Sequence, residues 1–238
     1  MLLSRFQTSL LLGGALLLAA IPASANLLVT NGSFENQSIA PGSYVYNSVN
    51  CNYPIPPDSV TPVCGPVTIA NWTYVDTPIV PPGNSGGSGI SSVGSAFGNT
   101  TPAPDGTQAL FLQNQSSASQ TIAGIQAGDT YTISFYVEQR AYGSQQTLDV
   151  TLGDQTLFSG TAPSSSAYTL ETGSIVADQS GSLALTFAGQ QSALGNTDAT
   201  VFVDKVNLTP EPGFYWLLAL GLGGLVTVVS RRKKEPKA

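Results

Sequence analysis

Between residues 129 and 139 the chain alternates: Tyr131, Ile133, Phe135 and Val137 fall on one side, Thr132, Ser134, Tyr136 and Glu138 on the other. A two-residue period marks a strand with one buried face, because successive side chains of extended backbone point to opposite sides. Gly128-Asp129 supplies the turn before it. Residues 146–152 repeat the pattern through Leu148 and Val150, and Gly153-Asp154 reads as a hairpin turn into 156–158. Further strands are predicted at 27–30, 68–75, 107–113, 118–122, 167–176, 182–188 and 200–208, and no stretch between them carries a helical period. About ten short strands separated by Gly, Asn and Asp turns predict an all-β fold, a β-sandwich.

Two segments interrupt this rhythm. Residues 76–106 hold Pro78, Pro81, Pro82, Gly83, Gly86, Gly87, Gly89, Gly94 and Gly98, which leaves little room for regular strands and predicts a long loop. Residues 36–66 form a second insertion and contain Cys51 and Cys64, the two cysteines of the chain.

The chain has no histidine. That excludes Ser-His-Asp and Cys-His catalysis and any His-ligated zinc site. Between residues 26 and 209 the basic residues are Arg140 and Lys205, against twelve acidic ones. Such a surface repels phosphate backbones, so nucleic acid is not an expected partner. The acids offer no pair set apart by its context, and glycoside hydrolysis is not favoured.

The two ends carry targeting patterns. Residues 1–25 read as a signal peptide: Arg5, an apolar run over 10–21, then Ala23-Ser24-Ala25 as a cleavage site for signal peptidase. At the other end stand Pro210-Glu211-Pro212, an uncharged run over 213–230, and Arg231-Arg232-Lys233-Lys234. The run is long enough for one transmembrane helix, with the basic cluster on the cytoplasmic side. This tail resembles the PEP-CTERM sorting signal, which implies processing by a membrane-embedded exosortase and at least transient residence in the inner membrane. The expected organisation is a signal peptide (1–25), a β-sandwich domain (26–209) and a sorting tail (210–238). In an exported chain an even cysteine count suggests a Cys51–Cys64 disulfide, with two free thiols as the alternative.

The body carries a second resemblance. It opens with Asn31-Gly32-Ser33-Phe34-Glu35, continues through Ala70-Asn71-Trp72, Asp105-Gly106-Thr107-Gln108 and Ala127-Gly128-Asp129-Thr130-Tyr131, and closes with Phe202-Val203-Asp204-Lys205-Val206. This order resembles the galactose-binding-like jelly rolls, which include many carbohydrate-binding modules. The resemblance implies one structural calcium ion held by Glu35 and Asp204, with Ser33 beside them. From the residues alone, Phe202, Asp204, Val206 and Leu208 share a strand face, so Asp204 must be paired, protonated or cation-bound. Lys205 would then point to the opposite face.

For a sugar ligand, Tyr136, Arg140 and Tyr142 are the candidates, since exposed aromatic rings can stack on pyranose faces beside polar groups. Core packing is the alternative for each aromatic; Trp72 is assigned to the core, and Phe97 to a ligand clamp or a loop anchor. Three function classes follow: a non-catalytic exported envelope or matrix protein binding polysaccharide, a structural matrix protein without a ligand, and, ranked last, a glycoside-active enzyme.

Overall fold

The computed structural model describes residues 28–47, 69–76, 87–163, 165–190 and 198–211. The predicted signal peptide, Cys51, Cys64, Pro212, the apolar run 213–230 and the basic cluster Arg231, Arg232, Lys233 and Lys234 lie outside the described residues.

Every regular element among the described residues is a strand: β1 (Tyr44–Tyr46), β2 (Thr73–Val75), β3 (Gly87–Ser92), β4 (Gln108–Gln113), β5 (Ser117–Ile125), β6 (Thr130–Gln139), β7 (Thr147–Leu152), β8 (Gln155–Thr161), β9 (Thr169–Val176), β10 (Gly181–Gly189) and β11 (Thr200–Pro210). They form two antiparallel sheets, one ordered β1-β3-β4-β11-β6-β9 and the other β2-β5-β10-β7-β8. Long hops between neighbours in a sheet, β4 to β11 and β5 to β10, are the crossovers of a jelly roll rather than of a meander.

The alternation of β6 places Tyr131, Ile133, Phe135 and Val137 between the sheets. There they meet Leu148, Val150 and Leu152 of β7, Leu185 and Phe187 of β10, and Leu110 and Leu112 of β4. Phe135 and Phe187 pack edge to face with ring centres 5.3 Å apart. Trp72 belongs to this core: its ring lies 5.2 Å from Phe34, and its indole N–H donates to the Asn31 carbonyl at 3.1 Å.

Three expectations need correction. Residues 28–30 are not a strand; Leu28 donates one backbone bond to Leu208 at 3.0 Å, and the chain then turns away. Of 68–75, residues 73–75 alone pair. The preceding turn is closed by Trp72 N–H on the Ile69 carbonyl at 3.1 Å, with Asn71 at φ 72°. The glycine-rich stretch, read as loop, contains β3, and the 36–66 insertion contains β1. The reason is steric. A Cβ on Gly89 would overlap the Val45 carbonyl and stand 2.7 Å from the Phe111 ring, so glycine admits an aromatic neighbour over the strand. Gly89→Ala is expected to destabilise the fold by about 2–3 kcal/mol through overpacking, read as a lower urea midpoint with an unchanged slope.

The last strand is also not regular. Its register against β6 shifts between Asp204 and Asn207, and Lys205 has φ 51°. This bulge switches faces. Val201 and Val203 point inward before it, Val206 and Leu208 point inward after it, and Phe202 and Asp204 are left on the outer side of the six-stranded sheet. The single face predicted for Phe202, Asp204, Val206 and Leu208 is therefore divided in two.

Candidate functional site

The outer face of the six-stranded sheet holds Tyr136 and Asp204 and, at its rim, Arg140 and Tyr142, and it is split into a covered half and an open half. Over the covered half lies the segment between β3 and β4. Its Phe97 packs on Phe111 (ring centres 4.4 Å apart), Tyr44 (5.0 Å) and Phe202 (6.2 Å), closing an aromatic layer distinct from the main core. Phe97 is thus a loop anchor. Below the same segment, Thr101 donates to Glu138 Oε1 at 2.6 Å and Asn99 Nδ2 donates to the Ser91 carbonyl at 3.1 Å. Glu138 Oε2, Asn99 Oδ1 and Thr200 Oγ1 are buried there without a partner among the described residues. The Tyr168 hydroxyl lies near Asn99 but, among the described residues, no partner meets good hydrogen-bond geometry with it. Burial pushes the Glu138 carboxyl up, and the Thr101 bond offsets part of that rise.

Arg140 fastens the rim of this cover. Its guanidinium lies 4.9 Å from the Phe97 ring centre and 4.5 Å from that of Tyr142. It also forms an ion pair with Asp198 and donates to the Tyr142 and Asp198 carbonyls, each at 3.1 Å. The Tyr142 hydroxyl donates to the Ala96 carbonyl at 2.8 Å. The structure therefore brings Arg140 and Tyr142 together, with the guanidinium engaged by its own chain. Arg140→Ala is expected to remove about 2 kcal/mol of stability in urea denaturation, since it strips the cation from two rings and takes the ionic partner from Asp198, which keeps the Gln113 amide.

Glu35 and Asp204 grip one segment, 105–108, from two sides. Glu35 Oε1 accepts the backbone N–H of Thr107 and of Gln108, both at 2.7 Å. Gly106, at φ 91°, lets the carboxylate lie flat on the turn, where a Cβ would stand 2.5 Å from its carbon. Asp204, 0 % exposed, accepts the Asp105 N–H through Oδ2 at 2.8 Å and the Lys205 N–H through Oδ1 at 2.6 Å. Its pKa is raised to about 7, chiefly by burial, with the two backbone bonds pulling it down and the charges of Asp105 and Glu35 adding to the rise. Ser33 is half-buried in the turn that delivers Glu35. Among the described residues no three His, Cys, Asp or Glu side chains gather as a metal-binding group.

The open half lies on β11, β6 and β9. Tyr136 is directly opposite Asp204 on one neighbour and Leu170 on the other, and Leu170 is 51 % exposed. Lys205, turned by the bulge, places Nζ 5.8 Å from the Tyr136 ring centre. This corrects the expectation that Lys205 points away. Further along, Ser134 stands between Asn207 and Thr172, and Thr132 between Thr209 and Ser174. A half-exposed ring, an ammonium and rows of hydroxyl and amide groups make a flat polar surface with little charge. Lys205 is not legible in the sequence as part of this surface; only the bulge brings it here, and no period reveals a bulge.

No family model matches the chain, and no curated protein matches it. Among solved structures, the TmCBM61 module in complex with β-1,4-galactotriose is 13% identical, with a TM-score of 0.44 over 79% of this chain and 100% of that one. The CBM22-1 xylan-binding domain of Paenibacillus barcinonensis Xyn10C is 15% identical, with a TM-score of 0.41 over 59% and 85%. The enzymatically active domain of bacteriophage CBA120 tailspike protein 4 is 12% identical, with a TM-score of 0.45 over 78% of this chain, which spans 21% of that domain.

Proposed function

We propose that this chain is an exported, non-catalytic envelope or matrix protein that binds neutral polysaccharide on the open half of its six-stranded sheet. The observation that supports this most is the Tyr136 ring beside Lys205 and Leu170, at the head of rows of Ser, Thr and Asn side chains. A pyranose can stack its C–H face on such a ring while its hydroxyls exchange bonds with the neighbouring hydroxyl and amide groups. The test is a glycan-array screen of the purified full chain in detergent, followed by titration of the best binder. Tyr136→Ala is expected to weaken binding about tenfold, equal to about 1.4 kcal/mol of lost stacking. An array with no binder would favour the structural matrix protein without a ligand.

In the same proposal, residues 1–25 direct export, 213–230 enter the inner membrane, and exosortase acts near Pro210-Glu211-Pro212. Cys51 and Cys64 are bridged. A reporter fused after Thr209 that is active only in the cytoplasm would contradict export, and two alkylatable thiols in the non-reduced protein would contradict the bridge.

Glu35 and Asp204 would hold one calcium ion, completed by backbone carbonyls, since among the described residues no three acidic side chains gather as a metal-binding group. The charge of the site supports this: Asp204 is buried beside the charges of Asp105 and Glu35. Bound calcium would supply charge compensation and a tie between the first and last motifs of the sandwich.

A further inference from the structure

The sorting motif does not hang free of the sandwich. β11 runs through Pro210, which is directly opposite Tyr131, a residue of the main core. Glu211 donates its backbone N–H to the Thr130 carbonyl at 2.8 Å, and its carboxylate accepts the Thr132 hydroxyl at 2.8 Å. The Thr132 hydroxyl is in turn 2.6 Å from that of Ser174 on β9. Two of the three residues of Pro210-Glu211-Pro212 are therefore built into the sheet by strand pairing, by a backbone bond and by a side-chain bond.

We propose that the folded sandwich masks its own sorting motif, so that a processing enzyme can read it only after the end of β11 peels from β6. A cleft that recognises an extended peptide engages its backbone groups and its side chains. Here the Glu211 N–H and carboxylate are committed to Thr130 and Thr132, and the same groups cannot serve two partners at once. Processing is thereby coupled to the order of events: tail removal precedes closure of the last strand or waits for its fraying. Thr132 is the latch, since its hydroxyl joins Glu211 to the β6–β9 ladder. This rests on the sorting reading of the tail, and the test separates the two.

In the full chain, hydrogen exchange at the Glu211 amide reports the docking with no processing enzyme present. The expected result is slowing of at least about tenfold against an unstructured peptide, with part of that protection lost in Thr132→Val. Tail removal is then followed in membranes carrying the processing enzyme, for the wild type, for Thr132→Val, and for a variant with a flexible Gly/Ser linker inserted between Thr209 and Pro210. Masking requires removal to quicken in the order wild type, Thr132→Val, linker variant, with the first step roughly three- to tenfold. Equal rates in all three, or exchange of Glu211 at the free-peptide rate, overturn masking. Absence of removal even from the linker variant, with Glu211 protected, overturns the sorting reading and takes the processing role of the latch with it.

Discussion

Phe97→Ala is expected to lower the unfolding free energy by about 3–4 kcal/mol, among the largest single-residue effects available outside the main core. The ring is buried against Phe111, Tyr44, Tyr46 and Phe202, and it carries the Arg140 guanidinium on its face. Truncation removes both contacts and leaves a cavity that the sheet below cannot fill, because strands paired on both sides cannot shift toward it. The loss should be local first. Backbone amides of 94–99 should exchange faster well before those of β7 and β10, and an apolar dye should bind the native-state variant. A loss below about 1 kcal/mol would mean that the segment over the sheet contributes little to holding the face closed.

Asp204 sets the second large effect, and its sign depends on the cation. Its folded pKa is about 7 against an ordinary 3.8. A raised folded value means that the unfolded chain ionises first. The contribution is fully present below about pH 4 and is lost as pH rises toward 7, after which it is flat. The span corresponds to at most about 4 kcal/mol. In chelator the protein should therefore melt higher at pH 5 than at pH 8. Glu138, also raised by burial, adds to the same trend, so Asp204→Asn should reduce the slope without abolishing it. Calcium favours the ionised carboxylate and should flatten the slope while raising the melting temperature at pH 8 by mass action. Asp204→Ala should abolish the calcium response and lower stability by about 2–4 kcal/mol, because the Asp105 and Lys205 N–H groups lose their acceptor. Identical melting temperatures in chelator and in excess calcium would remove the cation from the account.

The strands most legible in the sequence were those with one dry face. β6, β7 and β10 alternate because one side meets the core and the other does not, and the alternation locates each within a residue or two. β3 was illegible because both of its sides are buried and its glycines, elsewhere loop markers, make room for Phe111 and Tyr46. The same covering explains Glu138 and Phe202. Alternation assigns Glu138 to the outer face correctly, whereas Phe202 shares its predicted face with Val206 and Leu208 until the bulge parts them; in neither case can the pattern tell that a glycine-rich segment will fold back over the outer face. Asp204 was marked by its chemistry, a carboxylate in apolar sequence, although the bulge moved it to the opposite side from Val206 and Leu208. Arg140 and Tyr142, candidates for a sugar site, instead pack on each other at the rim of the cover. The pattern around them does not reveal Asp198, distant in sequence, which engages the guanidinium.

The central claim is that the open half of the six-stranded sheet binds neutral glycan while the covered half stays sealed. Hydrogen-exchange footprinting of the full chain, with and without a saturating neutral oligosaccharide taken from the array, tests it most directly. The account expects new protection along 132–136, 170–174 and 205–209 and no change at 94–99. Protection centred on Phe97, Arg140 and Tyr142, or no protection anywhere on this sheet, would contradict it.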